Sequence, residues 1–213
     1  SFFVVFLRFI NFEKLKSMKT LYLFIFFSSL LLWNCESKVS QTSQTQKEDF
    51  DFSQFIIQKE QLGSIKIGMT IQEAEKQFLH LDKKTSSSEY FGLDGGGPIY
   101  VYYHKKEALF GLIPKLLTDT LYSIVVLHPK FKTVDGLHKG SSVRDILKVY
   151  PHSKVQLNWL NGNENIVDTI NHFYFAFQTQ TGKQIGNYSQ NLQPSEPKNL
   201  SLQTDWIEIA PKR

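Results

Sequence analysis

The sequence predicts an α+β fold of two tandem repeats, each a helix followed by three strands, sharing one antiparallel sheet with the helices packed on one face. Three observations predict it. The stretch "GMTIQEAEKQF" at 68–78 returns 72 positions later as "GSSVRDILKVY" at 140–150. Each copy opens with a helix-start signature, and each is followed by alternating segments rich in β-branched and aromatic residues. Neither half is long enough to bury its own apolar face.

The helices come first. In the aligned copies Thr70 falls on Ser142, Ile71 on Val143, Glu73 on Asp145 and Phe78 on Tyr150. Thr70 and Ser142 are N-caps, and the acids Glu73 and Asp145 three residues on reach back as in a capping box. Ile71, Ala74 and Phe78 line one helical face, as do Val143, Ile146, Leu147 and Tyr150, which predicts helices over 70–79 and 142–150. The glycine before each cap, Gly68 or Gly140, allows a backbone angle that other residues resist. A further helix is expected over 51–62, with Phe52, Phe55, Ile56 and Leu62 on one stripe.

Strands are expected at 88–93, 98–104 and 120–128 in the first repeat, about 50–128, and at 154–160, 170–178 and 202–210 in the second, about 129–210. Phe173, Phe175 and Phe177 alternate with Tyr174 and Ala176, a pattern suited to a strand covered on both sides. Two segments depart from the repeat. "KKEALFGLIPKLLTD" at 105–119 joins two strands where a short turn would suffice, and its apolar residues either fold back as core or form an exposed patch. "TQTGKQIGNYSQNLQPSEPKN" at 179–199 is long and polar. Features present in only one copy are free of the shared scaffold's duties, so Phe110, Leu112, Ile113 and Tyr188 are the candidate partner contacts.

The chain has 213 residues with 24 basic and 20 acidic groups. Residues 1–35 hold Arg8, Lys14, Lys16 and Lys19 against Glu13, and setting them aside leaves 20 basic against 19 acidic residues. No cluster of Lys and Arg remains to track a phosphate backbone, so nucleic acid is not an expected partner. "MKTLYLFIFFSSLLLWNC" at 18–35 has a basic start, an apolar core from Leu21 to Trp33, and then Cys35, the only cysteine. That core is too short to span a bilayer but has the length of a signal-peptide core. It resembles the signal of bacterial lipoproteins, with Asn34 where a small residue is usual.

The resemblance implies cleavage before Cys35, lipid attachment at its thiol, and membrane anchoring in the bacterial cell envelope, at the outer membrane facing the periplasm or the surface. On this reading 1–17 is upstream translation, 18–34 the signal peptide, 35–49 a polar tether of about 50 Å at full extension, and 50–213 a single globular domain of two repeats. "IKIGMTIQEAEKQF" and "TVDGLHKGSSVRDILKVYP" in turn resemble the tandem repeats of the β-lactamase-inhibitor-protein-like fold, a group that includes small lipoproteins of outer-membrane assembly. Members of that group mostly bind proteins, and the resemblance implies another envelope protein as partner and no catalytic residue.

Enzymatic chemistry finds little support. The histidines at 80, 104, 128, 138, 152 and 172 show no metal-ligand spacing, so no metal and no cofactor is expected. No Gly-x-Ser-x-Gly elbow occurs. "LDGGGPIY" at 93–100 runs into a proline and a strand, as a hairpin connection does and a phosphate loop does not. "HKGSSVRD" at 138–145 is a capping segment before it is an anion site. The expected function is therefore a lipid-anchored, non-enzymatic, protein-binding or structural domain. The alternative is a small-ligand-binding lipoprotein using a concave sheet face lined by Tyr100, Tyr102 and Phe173 or their opposite-facing neighbours.

Overall fold

A computed structural model describes residues 49–92, 97–180, 183–188 and 194–211. The signal segment, Cys35 and most of the tether lie outside the described residues, as do parts of the glycine-rich connection at 93–100 and of the polar segment at 179–199. The unit that begins at Asp49 is mostly β, which overturns the expected α+β repeat of a helix and three strands.

It contains one antiparallel sheet of eight strands and a small sheet of three. The small sheet is β1 (Ile57–Gln58), β2 (Gln61–Leu62) and β3 (Ile65–Lys66). The large one takes β4 (Asp82–Ser87), β5 (Pro98–His104), β6 (Glu107–Pro114) and β7 (Leu121–Val126) from the first half of the chain. From the second half it takes β8 (Val155–Leu157), β9 (Glu164–Asp168), β10 (Phe173–Phe177) and β11 (Trp206–Ile209). Their order is β4-β5-β6-β7-β11-β10-β9-β8, so two four-stranded meanders meet where β7 pairs with β11. The α-helices are short, α1 (Ile71–Glu75) and α2 (Val143–Val149), and end before the limits their sequence period suggests.

Each helix start is built the same way. The Thr70 hydroxyl accepts the Glu73 backbone N–H at 3.2 Å, while the Glu73 carboxylate accepts the Thr70 N–H at 2.9 Å. Ser142 and Asp145 repeat the exchange at 3.2 and 3.4 Å. The preceding glycines sit at φ +90° and +94°, where a side chain would be strained. That turn aims the Gly68 N–H at the Leu121 carbonyl and the Gly140 N–H at the Thr204 carbonyl, both at 2.9 Å. Each helix thus hangs on the start of the last strand in its own half.

Three expected elements fall elsewhere. The helix expected over 51–62 is a 3-10 turn at Phe52–Gln54 followed by β1 and β2. Phe55 and Ile57 are buried and Ile56 is exposed, the period of a strand. Gly63, at φ +57°, lets the chain fold back, since a Cβ there would stand 2.3 Å from the Gln54 carbonyl oxygen. Residues 89–91 form a 3-10 turn, and the first strand before 98–104 is β4 instead. The segment 105–119 is no insertion, because it contains β6.

The larger core cluster lies on the face that carries both helices. Phe110, Leu112, Ile124, Val126, Phe173, Phe175, Ile207 and Ile209 meet Ile71, Ala74, Val143 and Ile146 there, with Ile57, Leu62 and Ile65 of the small sheet. A smaller cluster on the opposite face joins Ile99, Val101, Ile113, Val125, Ala176 and Trp206, with Phe91 against it. The middle strands are buried on both faces, which is why they read as nearly unbroken apolar runs.

Candidate functional site

The structure buries three of the four candidate partner contacts. Phe110, Leu112 and Ile113 sit on β6 inside the large sheet with exposures of 0, 0 and 3%. The Phe110 ring packs 5.1 Å from Phe78 and 5.4 Å from Tyr102. They are core, so the partner role expected of them is overturned. Tyr102 and Phe173, expected to line a concave face, are buried in the same cluster, and that face is filled by side chains.

The fourth, Tyr188, is half-buried and turned inward. Its hydroxyl donates to the Glu164 carboxylate at 2.7 Å, and burial, then that carboxylate, pushes its ionisation upward. Glu164 is fully buried and also accepts from the Thr179 hydroxyl at 2.6 Å and from the Ile185 and Gly186 amides at 2.8 Å each. The first part of the polar segment after β10 is therefore fastened to the fold through Glu164.

No sequence signal marks the most open strand among the described residues. β4 forms one end of the large sheet, pairs only with β5 among the described strands, and leaves all six of its residues exposed. The other end is closed by the chain itself. There the Val155 and Ser195 backbones exchange two hydrogen bonds of 2.9 Å beside the Lys154–Glu196 ion pair.

A free edge presents unpaired N–H and C=O groups on alternate residues, and natural edges are commonly guarded by lysines that project charge. β4 carries Lys83 and Lys84, but both lean inward over β5. The Lys83 ammonium lies 4.0 Å above the Tyr100 ring and 2.7 Å from the Glu75 carboxylate. The Lys84 ammonium lies 4.8 Å above the Tyr103 ring. The Tyr102 hydroxyl donates to Glu75 at 2.6 Å and completes the set. Burial alone would raise the Glu75 carboxyl, yet Lys83 and Tyr102 together outweigh it and hold it below the usual carboxylate range. Beyond Lys84 come only Thr85, Ser86 and Ser87, which put no bulk on the edge.

The chain leaving β4 runs into an exposed apolar step. The β4–β5 connection meets the β8–β9 turn, where Asn158 and Asn161 donate to the Gly92 and Tyr90 carbonyls at 3.0 and 3.1 Å. Tyr90, Trp159 and Leu160 stay exposed around this junction.

Among the described residues no group of three or more His, Cys, Asp and Glu could hold a metal ion. His128 and His172 instead face Glu107 and Glu60 at 3.2 and 3.0 Å.

No family model matches the chain, and no curated protein matches it at a significant level. Among solved structures it is similar to the uncharacterized protein yfeY from Escherichia coli. The identity is 13% and the TM-score 0.46, over 73% of this chain and 97% of that one. This is a distant structural relationship.

Proposed function

We propose that the chain is a lipid-anchored protein of the bacterial cell envelope whose folded unit binds another protein, with β4 receiving an extended segment of that partner as an added strand. The observation that carries this reading is the outer edge of β4 over residues 83–87, which no described strand other than β5 pairs and whose two lysines are drawn inward onto tyrosine rings. Strand addition gains affinity from main-chain hydrogen bonds, and it gains selectivity from pockets for alternate side chains. The exposed Tyr90, Trp159 and Leu160 supply apolar surface beside the edge. Anchoring rests on the sequence "LFIFFSSLLLWNC" and on the single thiol at its end.

Two experiments test the two halves of the proposal. A photo-activated cross-linking residue at Ser86, compared with the same residue at Lys132, should trap one discrete protein from Ser86 alone. Equal adducts from both positions, or none, would sink the edge reading. For the anchor, the intact mass of membrane-extracted protein should show loss of everything before Cys35 and added acyl mass, and Cys35→Ser should abolish both. An unmodified thiol at Cys35 in the mature chain would refute the anchor without touching the edge.

A further inference from the structure

A polar cleft of about 180 Å³ lies on the sheet face opposite the helices, over β8, β9 and β10. The register places its floor. Gln156 on β8 lies directly across from Asn165 on β9, and Val167 on β9 directly across from Tyr174 on β10. The turn after β9 brings Thr169 to the rim.

The hydrogen-bonding inventory narrows what could sit there. The Asn158 amide is already used, donating to Gly92 and accepting from the Leu160 N–H at 3.0 Å. Asp168 is buried, and its two oxygens accept from the Ile170 N–H at 3.0 Å and the Asn171 side chain at 2.6 Å. Three lining side chains have no hydrogen bond among the described residues: Gln156, Asn165 and Thr169. Each is neutral, and each both donates and accepts. No Lys or Arg lines this hollow, its one histidine, His172, faces Glu60 at 3.0 Å, and each oxygen of Asp168 already accepts one hydrogen bond. Leu157, Val167 and Tyr174 add an apolar base.

Neutral groups that donate and accept, set around an apolar base, match a hydroxylated ring with a C–H face. The volume equals about six waters, room for one such ring. A second hollow of about 350 Å³ shares Gln156, Val167, Asp168 and Thr169 with the first and continues over Tyr150 and the exposed Ile170; His152 and Lys154 also line it, the Lys154 ammonium being paired with Glu196. We propose that the two hollows form a saccharide-binding cleft. One pyranose sits on Tyr174 and Val167 and hydrogen-bonds Gln156, Asn165 and Thr169, and the next ring lies over Tyr150 and Ile170. This site does not depend on strand addition at β4.

The test uses the full chain in a detergent without a sugar headgroup and follows saturation transfer from protein to ligand by NMR. The probes are glucose, N-acetylglucosamine, cellobiose and diacetylchitobiose, at up to about 20 mM, well above the millimolar dissociation constants expected of a few neutral hydrogen bonds. At least one disaccharide should bind more tightly than its own monosaccharide. Asn165→Ala should weaken it about tenfold, the worth of one or two neutral hydrogen bonds. Thr169→Val, which only exchanges a rim hydroxyl for a methyl group, should weaken it several-fold and covers the case in which Asn165→Ala perturbs the strand. The proposal is overturned if no probe shows transfer, if both variants bind as the parent does, or if inorganic phosphate competes with the sugar.

Discussion

The Asn158 side-chain amide donates to the Gly92 carbonyl at 3.0 Å across 66 positions of sequence, joining the turns that follow the two edge strands of the large sheet. Twist explains how opposite edges can meet. Neighbouring strands rotate by roughly 20–25°, so seven steps accumulate about 150° and bring diagonal corners together over one face. Gly92 is buried at φ +77°, and a Cβ on it would fall 2.1 Å from the Asn158 Nδ2. Asn158→Ala, which orphans the Gly92 carbonyl, should therefore cost about 1–3 kcal/mol in urea unfolding. Gly92→Ala should cost at least as much, because the amide must be displaced and the backbone is strained as well. Variants as stable as the parent would show that the junction is incidental.

Phe110 tests whether 105–119, which the sequence leaves open between core and exposed patch, is core. It is fully buried, with rings of Phe78, Tyr102 and Phe131 about it. Phe110→Ala should lose about 3–5 kcal/mol in denaturant unfolding. An exposed contact residue would lose almost nothing, so a small loss would restore Phe110 as a surface candidate.

What the sequence disclosed and what it hid follow one physical division. The capping pairs Thr70–Glu73 and Ser142–Asp145 were legible because a cap is local, a hydroxyl and an acid three residues apart. β6 was hidden by its turn. Lys105 and Lys106 take φ of 48° and 72°, a conformation usually announced by Asn and Gly, so the chain after them looked like a loop. β9 was hidden by acids at two of its inward positions, Glu164 and Asp168 around Ile166, which break the alternation that marks a half-buried strand. "NGN" at 161–163, with Gly162 at φ +74°, was the available sign of a turn before it. β4, read "DKKTSS", carries no apolar residue at all, so its place in the sheet rests on β5 and not on its own pattern. The polar cleft depends on register between β8, β9 and β10, which no stretch of sequence states by itself.

The capping acids give the fold a pH dependence of definite sign. Hydrogen bonds from the Thr70 backbone and side chain hold the Glu73 carboxyl below its ordinary range. The Ser142 hydroxyl does the same for Asp145 against the opposing effect of burial, with the Ser142 backbone and Lys148 adding to it. A carboxyl with a lower folded than unfolded pKa stabilises above the unfolded pKa, and that stabilisation is lost as pH falls through the folded value. Stability measured by urea midpoint should therefore fall on acidification below the ordinary carboxylate range. In the double variant Glu73→Gln, Asp145→Asn the fall should be shallower. An unchanged slope would mean that these caps do not titrate with folding.

Glu164 decides whether the segment after β10 is held by charge or merely lies there. Its Oε1 accepts from the Gly186 amide and the Tyr188 hydroxyl, and its Oε2 from the Thr179 hydroxyl and the Ile185 amide. Glu164→Gln keeps the shape but replaces one oxygen with an NH2 group. A hydroxyl facing that group can turn and accept from it, whereas a backbone N–H cannot. Whichever way the new amide points, either Ile185 or Gly186 is left as an unpaired buried donor, at a cost of about 2 kcal/mol. Hydrogen exchange at one of these two amides should then quicken roughly 30-fold, with protection in β6 and β7 changing far less. Equal acceleration throughout would show instead that Glu164 supports the whole fold. No change at either amide would show that the bonds to Glu164 are not what hold this segment.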